Sequence, residues 1–345
     1  MTNWNSDTPW LGATRSPWLD DTSAWLREKL EGNGFLPPFD VSCVHDRPWS
    51  IILRATSAQG AAYFKAAAPG GRHEPGLVRA LAAQWSDRVP APLAVDTKRG
   101  WLVLPDLGRT LRQELDGADG MDTWLFLLPR YAEIQLASSL ETAGFLRLGV
   151  PDRRLQRLPG LLRKLARDDR ALCLGRSGGL LPGERDSLLE LLPDLEACCR
   201  ELASMPCPAA LEHGDLQDAN ILVRDGAYWF CDWADASIAH PFLSLLVTCR
   251  RLVDDFASSD GIRRFARLRD AYLEPWSKLA PARSLRPLFG AALWVAHLAC
   301  ALDWNHMLAG VSESAREEWQ TRVPKWLRLW REGRGLFTKS ARRFA

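Results

Sequence analysis

The segment that most restricts the fold is the β-rich stretch at 209–232, because it interrupts a chain that otherwise reads as helical after Gly108. Ile221-Leu-Val, a polar Arg-Asp-Gly turn at 224–226 and Ala227-Tyr-Trp-Phe-Cys-Asp-Trp predict a hairpin there. Helical periodicity fills 121–147, 158–168, 184–204, 241–257, 261–279, 284–308 and 313–332. Strand-type sequence lies earlier: VSCVH at 41–45, WSIILRAT at 49–56, AAYFKAA at 61–67 and WLVLPDL at 101–107. A Ser-Ala-Gln-Gly turn at 57–60 joins the middle two as an antiparallel pair. Residues 74–86 predict a helix set into this sheet, with Leu77, Leu81 and Trp85 four apart, and 21–32 predict another before it. The expected fold class is α+β. A loosely held arm (1–20) precedes a small antiparallel sheet lobe (21–105), and a larger, mainly helical lobe (106–345) follows.

Composition narrows the classes of function. The 345 residues allow two cores, and 44 basic against 42 acidic side chains leave a net charge of +2, with no field to gather nucleic acid or anionic lipid. The longest apolar-looking stretch, Phe289 to Trp304, is broken by His297 and suits a buried helix. MTNWNSDTPW carries no basic start or apolar run of a secretion signal. Eight scattered cysteines without a CxxC pair read as free thiols of a reducing compartment. The expectation is a cytoplasmic protein, monomer or homodimer, without a nucleic-acid or membrane partner.

The chemistry is concentrated in His213-Gly-Asp215-Leu-Gln-Asp-Ala-Asn220 and, twelve residues after Asn220, Asp232. A kinase catalytic loop has a His, an Asp and an Asn at this spacing, followed by a metal-holding Asp. Phosphoryl transfer needs a carboxylate to orient the attacking hydroxyl and oxygen ligands for the ion that bridges the phosphates. Asp and Asn are also favoured turn residues, so each alone reads as structural. A second feature stands upstream. Lys65 lies in the apolar strand AAYFKAA, and Glu74, nine residues later, opens the next helix. A strand lysine paired with a helix glutamate is the phosphate-holding pair of kinases. An edge-strand lysine and a first-turn acid are the bland alternatives. The order of small β lobe and larger helical lobe is that of a protein-kinase-like bilobal fold.

HGDLQDANIL followed by FCDWAD resembles the signature of the aminoglycoside phosphotransferase and choline kinase-like superfamily. PWSIILRAT, GAAYFKA, VPAPLAV and GWLVLPDLGRTL resemble its amino-terminal lobe, so the likeness covers roughly 40–310. It implies a small-molecule O-phosphotransferase using ATP, with GTP as the alternative, and Mg2+. Asp215 would be the catalytic base and Asn220 and Asp232 the metal ligands. Lys65 would hold phosphates, oriented by Glu74, while His213 anchors the loop. The peptide groups around Leu104, Asp106 and Leu107 would meet the adenine. The pattern also departs from the family's. Gln217 and Asp218 replace a usual His-Pro at positions expected to face solvent. HDRPWS stands where a glycine-rich loop would be, leaving Trp49 and Ser50 to cover the phosphates. Ser244 stands near the place of an acid that steadies the catalytic loop.

The acceptor is expected to be a hydroxylated small molecule: an aminoglycoside, an amino sugar, an amino alcohol or a similar metabolite. Acidic residues that could face its ammonium groups are Asp235, Asp254, Asp255 and Asp303, and Trp233, Trp294 and Trp304 could stack on it. Core packing is the competing reading for the tryptophans and for His297 and His306. A catalytically silent pseudokinase, nucleotide-binding or scaffolding, is the alternative function. A protein kinase fits less well, because nine residues from Asp232 to Pro241 leave no room for an activation segment.

Overall fold

The computed structural model describes residue 10 and residues 15–253, 255 and 258–340. The chain divides into two compact units: Met1–Thr110 with Ile221–Asp235 and His306–Trp319, and Leu111–Asn220 with Ala236–Asn305 and Gln320–Ala345.

The first unit is built on five antiparallel strands, β1 (Asp40–Arg47), β2 (Ser50–Ser57), β3 (Gly60–Ala67), β4 (Ala94–Asp96) and β5 (Trp101–Pro105), in the order β1-β2-β3-β5-β4. Two-residue alternation decides what each face carries. Ile51, Leu53 and Ala55 of β2, with Ala62, Phe64 and Ala66 of β3, are buried on one face. Ile52, Arg54, Tyr63 and Lys65 take the other. The apolar face is covered by α1 (Arg15–Gly32), through Trp18, Trp25, Leu26 and Leu30, and by Trp10. Trp18 and Trp25 meet Trp101 edge-on at 6.3 and 5.3 Å, and the Trp10 indole donates to Arg47 O at 3.0 Å. Trp10, Trp18 and Trp25 are therefore core, and the helix begins six residues before the sequence places it. α2 (Glu74–Trp85) follows β3. In the connection to it, Gly70 is so close to the 306–319 segment that an added Cβ would stand 2.6 Å from His306 O. β6 (Arg109–Thr110) joins the predicted hairpin, β8 (Ile221–Arg224) and β9 (Ala227–Phe230), as a three-stranded sheet.

The second unit is helical around a two-stranded ribbon, β7 (Ala210–Glu212) with β10 (Ser237–Ala239). Its main helices are α3 (Met121–Ser138), α4 (Leu245–Leu252), α5 (Ser259–Leu273), α6 (Leu288–Leu308) and α7 (Arg322–Ser340). Several are shorter than their periodic stretches, and prolines account for most of the cuts. Pro275 follows the end of α5, Pro287 precedes α6, and Pro241 opens a separate 3-10 turn before α4. Proline removes an N–H and clashes with the preceding turn, so apolar spacing runs on where the helix cannot. Among the described residues no helix is long and apolar enough to cross a membrane, and none of the eight cysteines is in a disulfide.

Because Trp18 is buried among Phe64, Trp10 and Trp101, Trp18→Ala is expected to cost about 3–5 kcal/mol of unfolding free energy. Urea unfolding followed by circular dichroism checks this. A loss under about 1 kcal/mol, the range of surface substitutions, would show that α1 is not part of the sheet's core.

Candidate active site

Lys65 is the most constrained charge in the first unit. Alternation turns it away from the tryptophan core, yet its side chain is only 12% exposed. Its Nζ lies 2.7 Å from a Glu74 carboxylate oxygen and 2.6 Å from Asp232 Oδ1. Burial opposes the ammonium, but the charges of Asp232 and Glu74 outweigh it and lift Lys65 above an ordinary lysine. Glu74, buried in the first turn of α2, is raised by burial, against the pull of Lys65; the Trp233 amide also donates to it. Asp232 has φ +61°, a left-handed conformation that aspartate tolerates better than most residues. Asp232 stands two residues past the end of β9, with its carboxylate on Lys65. His45 of β1 lies in the same cross-strand row, opposite Ile52, which is itself opposite Lys65. Burial and Arg47 lower its pKa.

In the second unit the catalytic-loop sequence closes on itself. Asn220 Nδ2 donates to Asp215 O and to Asp215 Oδ2, each at 2.8 Å. Gln217 Nε2 donates to the same Oδ2 at 2.6 Å. Two amide donors on one oxygen fix the rotation of the carboxylate. The loop is tied to its surroundings by neutral groups. The His213 amide donates to the Tyr131 hydroxyl (3.1 Å), which lies 2.8 Å from Ser244 Oγ. Gln135 Nε2 donates to Ser244 Oγ and to Leu211 O. Thr248 Oγ1 donates to Leu216 O at 2.7 Å. Asp218 is held by Arg112 at 2.7 Å and Arg251 at 3.2 Å.

Several sequence expectations change here. Gln217 and Asp218 are not idle solvent-facing positions: one touches Asp215 and the other anchors two arginines. The steadying acid missing at Ser244 is replaced by the Ser244–Tyr131–His213 chain of hydroxyls and amide. Tyr131 and Gln135, four apart on α3, are polar residues in an apolar helix face, and that was the available signal. Trp233 is fully buried, with its indole donating to Phe230 O at 3.0 Å, so it packs the hairpin and offers no face to an acceptor. Trp294 is buried against Trp330, and buried His297 bonds to Leu293 O. Trp304 is half-buried, with Arg322 5.4 Å over its ring. Asp303 is buried and paired with Arg153 at 2.8 Å. Asp235 is half-buried at the end of a 3-10 turn in the first unit, as is His306 on α6, and Asp255 is exposed. Asp254 lies outside the described residues. Ser50 is buried opposite Ala67 at the start of β2. Trp49, beside it in the two-residue turn, meets Trp319 edge-on at 4.8 Å. Leu104 pairs with Tyr63 in β5, and Leu107 is half-buried. The Asp106 amide donates to Ala61 O and its carbonyl accepts from Arg224.

Lys65→Met leaves two carboxylates, one deeply buried, without their cation. It is expected to lower stability on the order of 3 kcal/mol. Adding Glu74→Gln should return part of that loss. A double-mutant cycle in urea measures the coupling, and strict additivity would contradict the pairing.

No family model matches the chain, and no curated protein matches it. Solved structures do resemble its fold. A choline/ethanolamine kinase family protein from Mesorhizobium loti matches with TM-score 0.60 and 16% identity, covering 94% of this chain and 98% of its own. A choline kinase from Cryptosporidium parvum matches with TM-score 0.61 and 10% identity, over 93% and 97%. An amicoumacin kinase solved with AMP-PNP and Ca2+ matches with TM-score 0.52 and 11% identity, over 91% and 96%. The chain has the kinase-like fold that choline and ethanolamine kinases share with antibiotic phosphotransferases.

Proposed function

We propose that the protein moves the γ-phosphate of ATP, or of GTP, onto a hydroxyl of a small molecule. The observation that carries this reading is the Lys65 ammonium set between Glu74 and Asp232. A scaffold has no need of metal ligands such as Asn220 and Asp232, and a nucleotide's phosphates need a cation already oriented. Lys65 would meet the phosphates and Glu74 would hold it extended. Asp215, its carboxylate fixed by Asn220 and Gln217, would align the acceptor hydroxyl and take its proton. In a loose transition state this is mainly positioning, so a carboxylate of ordinary acidity suffices.

Asp232 and Asn220 suit a magnesium ion. Asn220 spends its amide hydrogens on Asp215, which leaves its oxygen as a ligand, and Asp232 offers a carboxylate. Among the described residues no cluster of three His, Cys, Asp or Glu could hold a metal alone, and magnesium ordinarily completes its shell with phosphate oxygens and water. When bound it would offset the phosphate charge.

The acceptor in this reading is an aminoglycoside, an amino sugar, an amino alcohol or a similar hydroxylated metabolite; the similar structures are named for choline, ethanolamine, macrolide and amicoumacin substrates. One observation favours the silent alternative: the β1–β2 turn is only Pro48-Trp49, without glycine, and Trp49 is held by Trp319.

The test is phosphate transfer from ATP with and without magnesium across a panel of such acceptors. Turnover is expected only with the ion, and Asp215→Ala should cut kcat by roughly 10²–10⁴ while leaving the melting temperature near the parent's. Wild-type rates in Asp215→Ala would remove the base. Absence of turnover, with no thermal stabilisation by magnesium nucleotide, would favour the silent reading.

A further inference from the structure

Glu212 ends β7, is fully buried, and takes no part in the chemistry above. Its Oε1 accepts the Gly214 amide at 2.9 Å, and its Oε2 accepts the Ser237 hydroxyl at 3.3 Å from the paired position on β10. Gly214 has φ +80°, a conformation that costs glycine little and a side chain more, and the next residue is Asp215. One buried carboxyl thus pins the turn that presents the proposed base. Behind it Arg153 bonds Ala299 O and pairs with Asp303, both on α6.

We propose that Glu212 is a positioning residue for phosphoryl transfer: its carboxyl group clamps the Gly214 turn and thereby fixes Asp215. The role rests on the reading of Asp215 as the base. The clamp itself does not.

The charge state fits this task. Burial and the charge of Asp303 push Glu212 up to about 8, with the Gly214 amide and Arg153 opposing. Burial likewise pushes Asp303 up to about 6, with Arg153 lowering it and Asp215 raising it. At neutral pH Glu212 therefore holds a proton and turns a carbonyl-type oxygen to Gly214, and Arg153 is left to balance Asp303. The other groups facing it are the Tyr131 and Tyr272 hydroxyls of α3 and α5, both neutral because burial raises them. Since its pKa is about 8 folded and near 4.5 unfolded, the stability it contributes is present in full below about 4.5 and lost as pH rises through about 8.

The experiment compares wild type, Glu212→Gln and Glu212→Leu by peptide-resolved hydrogen exchange over 211–218. Leucine fills the site without an acceptor, and a buried polar group replaced by an apolar one of similar size usually still folds. Glu212→Leu is expected to speed exchange of the loop roughly tenfold, with α6 unchanged and Glu212→Gln close to wild type. The melting temperature of wild type should fall relative to Glu212→Gln between pH 5 and 9. In turnover, Glu212→Leu should lower kcat about 10–100-fold with the nucleotide KM within about twofold, and Glu212→Gln should lie between. Loop exchange in Glu212→Leu equal to wild type, or faster exchange spread evenly over α6, would overturn the clamp. Loosened exchange in a protein whose wild type shows no turnover would uphold the clamp and sink the phosphotransfer reading.

Discussion

A lysine in an apolar strand cannot keep its charge without a partner, and the first unit is arranged around that requirement. Moving an ammonium out of water costs several kcal/mol even after relaxation. Lys65 avoids this penalty only because Glu74 and Asp232 reach it together, from a helix start and from two residues past a hairpin. Each partner is itself constrained. Glu74 is fixed by its place in the first turn of α2, and Asp232 by a left-handed backbone angle. The strand's alternation does the rest: the face opposite Lys65 is taken by Phe64 and the tryptophans of α1, so the lysine has one direction available. Sheet, helix and hairpin are therefore coupled by one cation. Nothing in this arrangement requires a nucleotide, but it leaves a preoriented positive charge of the kind that phosphates bind.

The second unit supports its loop by different means. Where a charged contact is expected near Ser244, a chain of hydroxyls and amides connects Ser244, Tyr131, Gln135, His213 and Leu211. Neutral bonds of this kind contribute about 1 kcal/mol each and depend little on salt or pH. A buried network must be complete to be worth its desolvation, and Tyr272 completes it by donating to Gln135 Oε1 and toward Pro241 O. Glu212 fits the same logic, since a protonated carboxyl group behaves as one more neutral member.

The sequence was most legible where one residue type violated its surroundings. Lys65 in AAYFKAA could be singled out because a charge in an apolar strand needs a reason, and the structure brings Glu74 and Asp232 to it. By the same rule Glu212 in Ala-Leu-Glu was detectable, but the motif beside it drew the attention. The strands of the sheet were readable from alternation and the Ser-Ala-Gln-Gly turn, whereas helix lengths were not, because apolar spacing continues across Pro275 and Pro287 while hydrogen bonding does not. The start of α1 at Arg15 was not readable, because tryptophan, proline and serine there show no periodicity. Burial of Trp10 and Trp18 depends on a sheet surface that only the folded unit provides. Gln217 was unreadable because its contact is with a residue two positions away in a turn, and no pattern marks such contacts.

Recognition of the acceptor is the part that fold cannot supply. The similar structures act on molecules as different as choline and amicoumacin, by their names, at identities where only backbone is shared. Selection must come from side chains, and of those that a sequence would nominate for binding ammonium groups Asp303 pairs with Arg153 in the interior. Asp218, in the loop itself, is matched by Arg112 and Arg251. The ring of Trp304 already carries the Arg322 guanidinium. A carboxylate compensated by a nearby guanidinium attracts a further cation only weakly, because the two fields cancel within a few ångströms. Strong preference for a polycation would therefore need acids beyond these pairs. Charge alone gives no reason for this protein to reject a hydroxylated acceptor that carries one ammonium group or none.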